Sequence, residues 1–85
     1  MRASHRIPVT VRLRDHDKIA LAYTPTAADW RSAAIRAWKR LTGKRGTWNI
    51  ALCTCHAPGV FTAQFGTPAP DGGTSLAPEC VIHVG

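Results

Sequence analysis

Ala27, Trp30, Ala34, Trp38 and Leu41 recur at three- and four-residue steps, which places them on one arc of an α-helix, while Arg36, Lys39 and Arg40 fall on nearly the opposite arc. The segments on either side have the two-residue period of strands instead. A helix with a single apolar stripe must bury that stripe, and here the partner is a sheet face. The chain is therefore expected to fold as α+β. One amphipathic helix would pack on a mainly antiparallel sheet of four or five strands in a two-layer sandwich.

Local signals bound the helix. Thr24-Pro25-Thr26 opens it, with Thr26 as N-cap and Asp29 three residues later in a capping-box-like arrangement near the positive end of the helix dipole. Gly43, followed by Lys44 and Arg45, supplies the stop.

Strand patterning fills the rest. Ile7, Val9, Val11 and Leu13 alternate with Thr10, Arg12 and Arg14. After the polar turn of residues 15–18, Ile19, Leu21 and Tyr23 resume the alternation and complete a β-hairpin. Trp48, Ile50 and Leu52 share one face of a third strand, Ala57-Pro58-Gly59 is turn chemistry, and Val60 to Phe65 forms a fourth strand. Residues 66–78 read as a loop too rich in proline and glycine for regular structure, and Cys80 to Val84 is a short β-branched last strand.

The resulting order, β-β-α-β-β-β, also suits a β-grasp arrangement, as in ubiquitin-like domains. That likeness is one of topology alone. Arg12 and Arg14 would then project from the sheet face opposite the helix.

At 85 residues the chain holds one domain, spanning 1–85, with residues 1–6 read as a short flexible basic start. Hydrophobic residues at 45% and charged residues at 19% fit a globular chain rather than a disordered one. The length excludes a full dinucleotide-binding or barrel fold.

Charge is divided unevenly along the chain. All 11 basic residues lie between Arg2 and Arg45, opposed there by only 3 acidic ones, giving a formal +8; residues 46–85 hold just Asp71 and Glu79, giving −2. Such a division points to a polyanion or an acidic protein surface as partner.

Cys53, Cys55 and Cys80 form an odd set, unlike the even number of a disulfide framework. No export signal is visible in residues 1–25 and no apolar run is long enough to span a bilayer. The expected setting is the reducing cytoplasm, with free thiols and no membrane partner.

Several motifs bear on chemistry. Cys53, Cys55, Cys80 and His83, with His56 nearby, could in composition make a zinc site. Against this, a C-x-C pair inside a strand differs from the usual C-x2-C turn. Alternation also puts Cys80 and His83 on opposite faces, so structural cysteines are the expectation and no metal or cofactor is assigned. His16, His56 and His83 could serve a small ribonuclease, but nothing in their spacing brings them together. No phosphate loop, nucleophile elbow or H-E-x-x-H motif occurs. Trp30 and Trp38 share the apolar arc and are expected in the core rather than as base-stacking platforms.

What remains is a small basic binding module without catalysis, contacting nucleic acid through phosphate-backbone electrostatics. Arg31, Arg36, Lys39, Arg40, Lys44 and Arg45 would make the contacts, with Arg12 and Arg14 as a second patch. The alternative is an interaction or inhibitor protein docked on an acidic or nucleic-acid-processing partner, in the manner of small mobile-element proteins that block host defence enzymes.

Overall fold

Alternation along β1 (Ile7–Leu13) buries Val9 and Val11 completely on one face, and the chain turns back through residues 14–18 into β2 (Ile19–Thr24). This hairpin opens a computed structural model that describes residues 6–85. The expectation of a flexible basic start falls almost wholly on residues 1–5, outside the described residues.

A short 3-10 turn at Ala27–Asp29 leads into α1 (Trp30–Thr42), followed by β3 (Asn49–Ala57), β4 (Val60–Pro68), β5 (Thr74–Leu76) and β6 (Cys80–Val84). The strand order is β2-β1-β6-β4-β3, with β5 paired to the end of β4, and every pairing is antiparallel. The α+β class matches the expectation, and so does the order of elements apart from one added strand, β5. One helix covers one face of the sheet.

The sheet has six strands rather than four or five, because residues 66–78 are not irregular. β4 runs on to Pro68 and β5 returns beside it, pairing Gly66 with Leu76 and Pro68 with Thr74. Between them the Ala69 amide donates to the Gly73 carbonyl at 2.9 Å, and Gly72 has φ +89. The prolines and glycines that argued against structure are the turn of a third hairpin, and Pro68 sits at a strand end where no ladder donor is needed.

The helix start also differs. Thr26 caps the 3-10 turn in an extended conformation, but its hydroxyl donates to the Asp29 carboxylate at 2.8 Å rather than accepting from a backbone amide. The helix end is as expected: Gly43 is left-handed at φ +72 and its amide reaches the Lys39 carbonyl at 2.8 Å.

Alanine decides how α1 sits. It lies mainly over β2 and β1, where fully buried Ala33, Ala34 and Ala37 let the helix axis come close. The strand beneath answers with small side chains, Ala20, Ala22 and Thr24. Ile19, Leu21 and Tyr23, the larger apolar set of this strand, therefore point away from the helix and are 57%, 42% and 47% exposed. They would overfill the narrow gap.

Over the middle of the sheet the space widens and the tryptophans fill it. Trp30 stacks on Phe61 of β4 at 4.4 Å between ring centroids, and Trp38 stacks on Phe65 at 4.6 Å with Trp48 tilted beside it. Both helical tryptophans are core residues, as their shared arc requires. In β3 the register shifts between Ile50 and Leu52, which moves Leu52 to the open face and separates it from Ile50.

Candidate nucleic-acid interface

Along the outer side of β2 runs an open groove lined by Arg6, Leu21, Tyr23, Arg36, Lys39 and Arg40, with Ala22 at its base. Helical spacing brings Arg36, Lys39 and Arg40 to one face of α1, and placing that helix over β2 brings them to the sheet edge. Arg6 arrives from the start of β1, and Tyr23 through its pairing with Pro8. Four cations thus surround one groove, and none of its lining residues is acidic.

Both arginines are anchored at the sheet edge. Arg36 Nη2 donates to the Tyr23 carbonyl oxygen at 2.9 Å, and Arg40 Nη2 donates to the Leu21 carbonyl oxygen. Lys39 Nζ donates to the Gly46 carbonyl oxygen at 2.5 Å, tying the loop after α1 back to the helix. Neutral carbonyls orient these cations without cancelling their charge. A guanidinium has five donors in a rigid fork, and one nitrogen of each is used in this way.

The remaining candidates are dispersed. Arg14 forms an ion pair with Glu79, which cancels its charge locally. Arg12 alternates with buried Val11 and so faces away from the helix, half-buried on the open side of the sheet. Arg31 sits with its Cζ 4.8 Å from the Trp30 ring centroid, and Lys44 Nζ lies 5.8 Å from that of Trp48. Arg45 is exposed beyond the helix end, where its carbonyl accepts from Trp48 Nε1 at 2.9 Å.

Sequence reasoning missed two groove residues. Arg6 falls in the segment expected to be flexible, and Tyr23 is legible only as part of a strand's alternation. Strand pairing fixes both positions, and composition carries no signal of it.

The cysteine and histidine residues are dispersed too. Cys53 and Cys55 are exposed on β3, Cys80 is buried in β6, and exposed His83 points to the other face of that strand. Among the described residues no three His, Cys, Asp or Glu side chains cluster as metal ligands. His56 Nε2 lies 2.9 Å from Thr62 Oγ1, across the hairpin. Burial pushes the Cys80 thiol up to about 12, with the neighbouring Cys53 thiol as the smaller cause. No described helix is long and apolar enough to cross a membrane.

No protein-family model, curated protein or solved structure matches the chain.

Proposed function

We propose that the protein is a small non-catalytic binding module whose groove along β2 takes the sugar-phosphate backbone of a nucleic acid. The observation that carries this reading is the grouping of Arg6, Arg36, Lys39 and Arg40 around one groove without a carboxylate among its lining residues. Neutralising phosphates with such cations releases condensed counterions, so affinity comes without sequence preference and falls with salt. Half-exposed Tyr23 supplies a ring face at the groove for one unstacked base, which favours a single strand over a duplex.

Arg6→Glu tests the reading, because it reverses a charge in the groove and leaves the Arg36 and Arg40 contacts with β2 in place. Affinity for a single-stranded oligonucleotide should fall about tenfold, and the log–log salt slope should lose roughly 0.7 per phosphate contact removed. Unchanged affinity counts against the groove.

One observation favours the second reading, protein docking or enzyme inhibition. Ile19, Leu21 and Tyr23 form an uncovered row on the same strand, suited to an apolar partner surface. That mode predicts tight binding to one protein with weak dependence on salt.

A further inference from the structure

Cys53 and Cys55 stand on one face of β3, the terminal strand at the far side of the sheet from the basic groove. Their partners on β4 are Ala63 and Phe61, and the register runs without a break from Leu52 to Cys55. Both thiols therefore point to the helix side of the sheet. The helix lies over β2 and β1 at the other end, however, so both remain exposed. Thr54 between them faces the opposite side together with its partner Thr62.

Strand geometry sets what two such thiols can do. Two residues of rise separate their Cβ atoms by about 6.8 Å, so a disulfide, which needs about 3.5–4.5 Å, cannot close within the strand. Two metal–thiolate bonds in line span about 4.5 Å, which the thiols reach by leaning toward each other by about 1 Å each. The Cys55 thiol donates a weak hydrogen bond of 3.4 Å to the Ala57 carbonyl, and loss of its proton to a metal frees it to turn.

The number of donors then selects the ion. Among the described residues no third His, Cys, Asp or Glu side chain completes a cluster with this pair. His56 contacts Thr62 on the other face, and Cys80 is buried. Glu79, which shares a small depression with Cys53, is held by Arg14. Zinc takes four donors and is not served by two. Thiolates select soft ions, and of these a cation satisfied by two donors in line fits the pair.

We propose that Cys53 and Cys55 form a chelating site for one soft monovalent cation of the Cu(I) class, held between the two sulfurs of a single chain. Binding releases both thiol protons and forms two metal–sulfur bonds, which leaves one negative charge on the complex. No carboxylate on β3 opposes that charge, and the chain as a whole carries a formal +6. The site is separate from the β2 groove and stands whether or not that groove binds nucleic acid.

The test titrates the reduced protein, without oxygen, against Cu(I) held by bicinchoninate, whose colour reports the copper it loses. Native mass spectra count the ions on each chain, and one copper per chain is expected. Cys53→Ser and Cys55→Ser should each weaken binding about 100-fold or more, the advantage of a second donor on the same strand. Cys80→Ala should change it less than about twofold, since Cys80 takes no part. Thr54→Cys combined with Cys55→Ser keeps the number of thiols but puts them on opposite faces, and should bind as weakly as Cys55→Ser alone. Both positions are exposed, so these variants should keep the fold, which circular dichroism checks. Copper left entirely with the chelator, one copper shared by two chains, or recovered affinity in the combined variant overturns the proposal.

Discussion

Arg36 reaches from α1 to the outer edge of β2, where its Nη2 donates to the Tyr23 carbonyl oxygen at 2.9 Å, and Arg40 makes the same contact with Leu21 one helical turn later. A terminal strand presents free backbone groups that invite another strand. Here two of those carbonyls are occupied and flanked by charge. The other terminal strand, β3, has two register irregularities, a different device with the same effect. The arginines that give the groove its charge therefore also guard the sheet.

Removing the guards should be visible as association. Arg36→Ala with Arg40→Ala is expected to lower unfolding stability by only about 1–2 kcal/mol, since exposed hydrogen bonds contribute modestly. At equal concentration the double variant should sediment as a larger species than the parent. An unchanged sedimentation profile would mean that the β2 edge needs no guard.

The turn between β3 and β4 depends on Gly59. Its φ of +76 is unfavourable for other residues, and a Cβ there would come 2.5 Å from the Val84 carbonyl oxygen. The Gly59 carbonyl in turn accepts from the Val84 amide at 2.8 Å, so the turn is sewn to the last strand. Gly59→Ala should cost about 2 kcal/mol or more in denaturant unfolding, whereas Gly43→Ala, with no neighbour within 4 Å of its added Cβ, should cost about 1 kcal/mol.

Cys80 makes stability sensitive to alkali. Burial raises its thiol pKa from an ordinary 9.0 to about 12, so between these values the unfolded chain has lost this proton and the folded chain retains it. Stability from this group is complete below about pH 9 and declines as pH rises toward 12, by on the order of 1.4 kcal/mol per pH unit. Cys80→Ala should flatten that decline in unfolding curves collected across the range. A thiol reagent at neutral pH should modify exposed Cys53 and Cys55 in the native protein and reach Cys80 only after unfolding.

How far the sequence reveals this molecule depends on whether the signal is local. The helix was legible because its period, its tryptophans and Gly43 all act within a few residues. The hairpin of β1 and β2 was legible too, but not which face of β2 packs. Alternation separates Ala20, Ala22 and Thr24 from Ile19, Leu21 and Tyr23 without ranking them. Hydrophobicity favours the larger set, while the close approach of an alanine-faced helix requires the smaller one. The same limit applies to the groove. Arg36, Lys39 and Arg40 share a helical face and could be grouped from spacing, whereas Arg6 and Tyr23 join them only once β1 and β2 are paired.

The central claim is that four cations around the β2 groove contact phosphates. The most direct test is fluorescence anisotropy of a labelled single-stranded oligonucleotide, titrated with the protein between about 50 and 200 mM salt. Four phosphate contacts on a single strand give a log–log slope near −3, so affinity should weaken about 50-fold across that range. Absence of binding at the lower salt, or an affinity that salt does not change, would contradict the account.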